Sequence, residues 1–272
     1  MKIKVNSSFY IILLLVVVSF VYNKINDSSV SSNKPSKSKY VNKSQPAQSG
    51  IGNITTYGQM PTQDSWPSLS DGQQMAQNLL AQNYYIVFDG SGSMSKKGCS
   101  GGKEKIAVAR EAMDTFAGGI PVEANVGLFI FDGRGASERI PLSTFHKGKF
   151  MQQITHSHAG GKTPLKTAVK AGYEALSKQA AAQLGYGEYH LVIVTDGAAS
   201  KGQDPLKEVK NILVGSPVII HTIGFCIGGN HSLNQAGLIE YKAANDPQSL
   251  VAGLEAVLAE APDFNTNSFS GK

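Results

Sequence analysis

From about residue 80 the chain alternates short apolar runs with stretches of helical periodicity. Tyr84-Tyr85-Ile86-Val87-Phe88, Val126-Gly127-Leu128-Phe129-Ile130-Phe131, His190-Leu191-Val192-Ile193-Val194-Thr195 and Pro217 to Phe225 have strand length and almost no polar interruption. Such runs mark strands buried on both faces, because a half-buried strand would alternate apolar with polar. Weaker strand signals lie at Glu138–Leu142 and Leu238–Ala243. Between them Ile106, Ala109, Met113 and Phe116 recur at helical spacing, and a long helix is predicted over Pro164–Gln183. Asp204-Pro205 and Asp246-Pro247 each put a capping carboxylate before a proline. They predict helices running to about Val214, with Glu208 in the first turn, and to a point before Pro262. Ser70-Asp71-Gly72-Gln73 has the form of a capping box and predicts a short helix to about Ala81. Strands alternating with helices imply an α/β class, with a doubly wound, mostly parallel central sheet flanked by helices. Ligands of such sheets bind beyond the carboxyl ends of the strands.

The first 69 residues have another pattern. Residues 1–24 open with Lys2 and Lys4, and an apolar run from Phe9 to Tyr22 is broken only by Ser19. That run is short beside the roughly 20 residues a membrane span needs, and suits a signal peptide. Val17-Val18-Ser19 is the nearest approach to a cleavage site, so a cleaved signal peptide and a retained membrane anchor over residues 9–22 both stay open. Either exports the rest of the chain to the periplasm or the cell surface. Residues 25–69 are rich in Ser, Asn, Lys, Gln and Pro. A stretch with so few large apolar side chains reads as a flexible polar linker. Residues 70–263 form the predicted domain and 264–272 a short tail.

Charge sharpens this division. Residues 1–60 hold seven lysines and one acid, Asp27, leaving 18 of the 25 basic and 19 of the 20 acidic residues for the remainder. The basic character therefore belongs to the leader and linker. A near-neutral domain argues against nucleic acid as partner, because phosphate-tracking surfaces are strongly basic.

Three polar clusters stand at strand-to-helix transitions. Asp89-Gly90-Ser91-Gly92-Ser93 comes after the first strand, Gly160-Gly161-Lys162-Thr163-Pro164 opens the long helix, and Thr195-Asp196-Gly197 comes after the His190–Thr195 strand. In a parallel sheet the first and third share a rim, and the second starts a helix feeding the same strand. Together they offer two carboxylates and three hydroxyls: Asp89, Ser91, Ser93, Thr163 and Asp196. An all-oxygen set suits a hard divalent cation, Mg²⁺ or alternatively Mn²⁺ or Ca²⁺.

On these residues the chain resembles the von Willebrand factor A (VWA) family and its metal-ion-dependent adhesion site (MIDAS). The family pattern D-x-S-x-S, then Thr, then Asp, is met in order by Asp89/Ser91/Ser93, Thr163 and Asp196. The resemblance covers roughly residues 82–260. It implies a Rossmann-like fold in which Ser91, Ser93 and Thr163 bind the metal through hydroxyls while Asp89 and Asp196 act mainly through metal-bound water. It further implies an exported protein-binding or cell-adhesion module, not an enzyme, whose cation captures an Asp or Glu of a protein partner. The alternative is a structural component of a surface pilus or secretion machine that uses the metal for stability. Lys162 departs from the common G-G-T-P-L context and places a positive charge beside the site.

Other readings of the same residues fit less well. A P-loop through Gly161-Lys162-Thr163 would need glycine where His156 stands, and a nucleophile elbow at Ser91 would need glycines where Asp89 and Ser93 stand. Asp89 as a phosphoryl acceptor is a further enzymatic idea, and His156 with His158 a soft-metal pair; the hydroxyl set and an exposed loop account better for each. Cys99 and Cys226 both fall at the metal-bearing rim and are a candidate disulfide, which export permits; two free buried thiols are the other reading.

Overall fold

The computed structural model describes residues 66–259, apart from 71, 228–230, 236 and 238. The expected leader, most of the linker and the tail lie outside the described residues. The strands are β1 (Gln82–Asp89), β2 (Asn125–Asp132), β3 (Gly135–Thr144), β4 (Glu188–Thr195), β5 (Ile219–Phe225) and β6 (Glu240–Ala244). The α-helices among the described residues are α1 (Lys105–Gly119), α2 (Lys147–Thr155), α3 (Leu165–Ala182), α4 (Leu206–Gly215) and α5 (Pro247–Ala259). One sheet carries the strands in the order β3-β2-β1-β4-β5-β6. Every neighbouring pair is parallel except β2–β3, which is an antiparallel hairpin.

The central strands are buried on both faces because their neighbouring side chains point to opposite sides. Tyr84, Ile86 and Phe88 of β1 pack with Met113 and Phe116 of α1, Phe150 of α2 and Leu254 of α5. Tyr85 and Val87 pack on the opposite face, with Leu165, Val169 and Leu176 of α3 and Ile212 of α4. Each such fully buried side chain contributes about 1.5–3 kcal/mol. Tyr85 fits only because two neighbours lack side chains. A Cβ on Gly127 would come within 2.6 Å of its ring, and one on Gly172 within 2.9 Å. Its hydroxyl donates to Glu138 Oε1 at 2.9 Å.

The structure departs from expectation in three places. The described residues of 72–81 form no helix. Ser70 and Gln73 close a single turn, Gln73 N–H to Ser70 O at 3.3 Å, and the next backbone groups bond outward. Ala76 N–H donates to Ala182 O, and the Gln183 amide donates to the carbonyls of Asn78, Leu79 and Ala81. Met75 and Leu80 stay exposed, so a helix here would have had no apolar face to bury. Helix α2 is unforeseen; its nine residues offer only Phe150 and Ile154 as buried anchors. The weak third strand is ten residues long and reverses the sheet's direction at its edge.

The caps agree closely with the sequence. Asp246 accepts the Ser249 N–H at 2.7 Å while Ser249 Oγ accepts the Asp246 N–H at 3.1 Å, a reciprocal capping box at the start of α5. Asp204 accepts the Leu206 N–H at 3.0 Å, one position earlier than a formal N-cap, because Pro205 precedes the first helical residue. Trp66 docks on α3 and β4, through its Nε1 bond to Ser177 Oγ and its edge contact with Tyr189.

Candidate metal centre

Parallel pairing of β1 with β4, Phe88 opposite Val194, delivers the ends of both strands to one rim. Thr195 Oγ1 donates to Asp89 Oδ2 at 2.6 Å, joining the last residues of the two strands. The chain then turns sharply, with the Ser91 N–H donating to Asp89 Oδ1 at 2.7 Å. A single 3-10 turn, Gly92–Ser95, carries the second serine. Ser91 Oγ and Ser93 Oγ lie 3.1 Å apart, and Ser93 Oγ donates to Asp196 Oδ1 at 2.6 Å. Asp89, Ser91 and Asp196 are buried.

The Gly160–Pro164 cluster arrives from the loop before α3. The Gly92 N–H donates to Gly161 O at 3.3 Å, and the Gly160 N–H to Gly90 O at 2.8 Å. Gly161 has φ +79, and a Cβ there would lie 2.9 Å from Asp132 O, so both its conformation and its surroundings require glycine. Two residues on, Thr163 is buried and held at both backbone groups. Its N–H donates to Ser200 Oγ at 2.9 Å, and its carbonyl accepts the Ser200 N–H at 3.0 Å. The three clusters predicted from sequence therefore meet at one rim.

Residues 83–267 match the von Willebrand factor type A domain. The chain belongs to that family. Its six-stranded mixed sheet flanked by helices is the Rossmann-like VWA fold. The chain is 26% identical over 200 residues to the uncharacterized protein YwmD of Bacillus subtilis (strain 168), covering 65% of this chain and 85% of that one. A von Willebrand factor type A protein from Catenulispora acidiphila superposes with a TM-score of 0.53 at 16% identity, over 66% of this chain and 42% of the other. Proximal thread matrix protein 1 from the mussel byssus, solved with a zinc-occupied MIDAS motif, gives 0.52 at 19% identity, over 66% and 47%. The match spans less than half the length of each of these two solved chains.

Within the VWA domain several supporting residues escaped the sequence reading. Thr195 orients Asp89, and Ser200 pins Thr163. Asp132 is buried and accepts from Arg134 Nε and Arg139 Nη2, each at 3.2 Å, and from the backbone N–H groups of Arg134 and His158. It thereby fastens the loop leading to Gly161 onto the β2–β3 hairpin. Lys105, the first residue of α1, is buried and places its Nζ 2.8 Å from Asp196 Oδ2. Only Thr195 carried a signal in the sequence, being adjacent to a motif residue.

Burial is the main influence on Asp89 and pushes its carboxyl up to about 6; bonds from Ser91 and Thr195 pull it back, and the nearby Asp196 charge raises it. Among the described residues no group of three or more His, Cys, Asp or Glu could hold a metal ion. The candidate ligands are instead two carboxylates and three hydroxyls, a donor set that fits a hard cation with a retained water shell. His156 and His158 are both exposed, and His156 Nδ1 lies 2.7 Å from Gln152 O. Lys162, the residue before Thr163, is exposed. Cys99 and Cys226 form the disulfide, with Cα atoms 6.0 Å apart, tying the loop before α1 to the end of β5. No helix of the described residues is long and apolar enough to cross a membrane.

Proposed function

We propose that this chain is an exported binding module in which Asp89, Ser91, Ser93, Thr163 and Asp196 hold a divalent cation, Mg²⁺ first among candidates, and that the loaded site captures an exposed Asp or Glu of a protein partner. The observation that carries this reading is the unbroken chain of short contacts from Asp89 through Ser91 and Ser93 to Asp196. A bound divalent ion supplies a hard Lewis-acid centre with coordination positions left for an outside oxygen. The serine and threonine hydroxyls contribute neutral oxygens, so they orient the ion without cancelling its charge. Asp89 and Asp196 supply negative charge toward the ion from buried positions, Asp89 held by Thr195 and the Ser91 backbone and Asp196 by Ser93.

Binding without turnover fits the surrounding residues. His231 lies beside the Asp196 loop, yet its Nε2 bonds Gly197 O at 2.8 Å and its Nδ1 accepts the Leu233 N–H at 3.1 Å. Both ring nitrogens are thus engaged, and the imidazole has no spare position for general-base work. The apolar run at residues 9–22 behind Lys2 and Lys4 supports a location outside the cytoplasmic membrane, periplasmic or at the cell surface.

Titration calorimetry with Mg²⁺ and Mn²⁺ on wild type and Asp89→Ala tests the metal site, and crosslinking on intact cells with and without chelator tests capture. Metal binding lost in the variant and chelator-sensitive crosslinks are expected. Equal crosslinking with and without chelator would defeat the capture reading.

A further inference from the structure

The two oxygens of Asp196 face different neighbours. Oδ1 accepts from Ser93 Oγ at 2.6 Å, on the side of the serine pair, and Oδ2 contacts the Lys105 ammonium at 2.8 Å. Lys105 is not a mobile surface cation. Its side chain is 9% exposed, its carboxylate partner is fully buried, and its backbone N–H is tied to Lys96 O at 2.9 Å. Helix α1, which it opens, is anchored by Ile106, Ala109 and Met113 in the core. An ion held among the serines and the Oδ1 side of Asp196 would therefore have a fixed positive charge on the other side of the same carboxylate.

We propose that Lys105 is an affinity-determining residue of the metal site: its fixed charge neutralises Asp196 and holds the affinity for a divalent cation low. This rests on the metal-binding reading above. Asp89 and Asp196 give the site two negative charges, and Lys105 reduces them to one. A divalent ion then leaves a net positive site that a single outside carboxylate brings to neutrality. Without Lys105 the two aspartates alone would balance the ion, and an incoming carboxylate would be in excess. A weak metal site that demands an anionic ligand is the outcome of placing this lysine here. The burial matters, because at the effective dielectric of a partly buried site a neighbouring unit charge shifts an ion's affinity far more than an exposed one does.

Removing the charge should not remove the geometry. Asp196 keeps its Ser93 bond and its place directly after β4, so neutral replacements leave the ligand in position. The test is titration of the full chain with Mn²⁺ alone, read by calorimetry and by melting, for wild type, Lys105→Met, Lys105→Gln and Lys105→Arg. Met keeps the packed stem, Gln keeps a neutral donor, and Arg keeps the charge. Both neutral variants are expected to bind Mn²⁺ on the order of tenfold tighter than wild type, to melt lower in chelator, and to gain more in Tm from the metal. Arg should stay near wild type. If Met does not fold, Gln carries the comparison. Unchanged or weaker binding in the neutral variants, with wild type binding normally, overturns the role of Lys105 alone. Absence of binding in wild type and every variant overturns the metal reading with it.

Discussion

Ser93 and Asp196 stand 103 residues apart in sequence and meet through a 2.6 Å bond in which the serine hydroxyl donates to Oδ1. That contact joins the loop after β1 to the loop after β4 and makes one site from two chain segments. If both residues serve one ion, their removal should not be additive. Ser93→Ala and Asp196→Asn are each expected to abolish most of the Tm increase produced by Mg²⁺, and the double variant to be little worse than either. Melting in millimolar Mg²⁺ against chelator measures this. Independent, additive losses would mean that the two side chains act on different things.

Asp89 gives the site a pH dependence whose sign is fixed by burial. Its carboxyl is raised from an ordinary 3.8 to about 6. A group more basic in the folded state contributes stability that is complete below the unfolded value and lost as pH rises through the folded one. In chelator, stability from this group should fall between about pH 4 and pH 6, by on the order of 2–3 kcal/mol. A divalent ion favours the ionised carboxylate, so the stabilisation by Mg²⁺ should grow from pH 5 to pH 7.5. Melting at both pH values with and without metal checks it, and Asp89→Asn should lack the trend.

Gly161 combines two constraints that a control can separate. Gly161→Ala meets both an unfavourable φ of +79 and the Asp132 carbonyl at 2.9 Å, whereas Gly202→Ala meets a φ of +78 with nothing within 4 Å. The Gly202 variant should cost about 1 kcal/mol. The Gly161 variant should cost about 2–4 kcal/mol, as strain and overpacking act together, and should weaken metal binding by moving the loop that holds Thr163. Denaturant midpoints and Mn²⁺ titration of the two variants give both numbers. Equal costs would show that the loop yields freely.

What the sequence disclosed and what it hid divide along a physical line. The doubly wound sheet was readable because β1, β2, β4 and β5 carry short apolar runs with few polar interruptions, the pattern of strands covered on both faces. The meeting of the three polar clusters was readable because each lies at a strand-to-helix transition of a parallel sheet and carries oxygen-bearing side chains. Lys105, Ser200 and Asp132 were not, since their roles exist only once distant loops meet, and nothing local distinguishes a buried lysine from a surface one. The failed helix before β1 has the same origin. Ser70 and Gln73 do make a local turn, but Gln183, more than a hundred residues away, claims the carbonyls of Asn78, Leu79 and Ala81.

The disulfide closes a loop of 127 residues between Cys99 and Cys226, and both cysteines adopt left-handed backbone, at φ 51 and 63. Two effects therefore oppose each other at the same residues. Crosslinking so long a loop restricts the unfolded chain and stabilises by up to about 4–5 kcal/mol in the loop-entropy account. Holding a residue with a side chain at positive φ costs about 1–2 kcal/mol per residue. A Cys99→Ser/Cys226→Ser variant loses the crosslink and keeps the backbone cost; a Cys99→Gly/Cys226→Gly variant loses the crosslink and relieves it. The serine pair should be about 2–5 kcal/mol less stable than wild type. The glycine pair should recover about 1–2 kcal/mol of that loss at most, because glycine also adds entropy to the unfolded chain. Guanidinium unfolding of the three proteins, with reduced wild type matching the serine pair, decides it. A glycine pair less stable than the serine pair would show that the turn conformation at these positions relaxes once the bridge is gone.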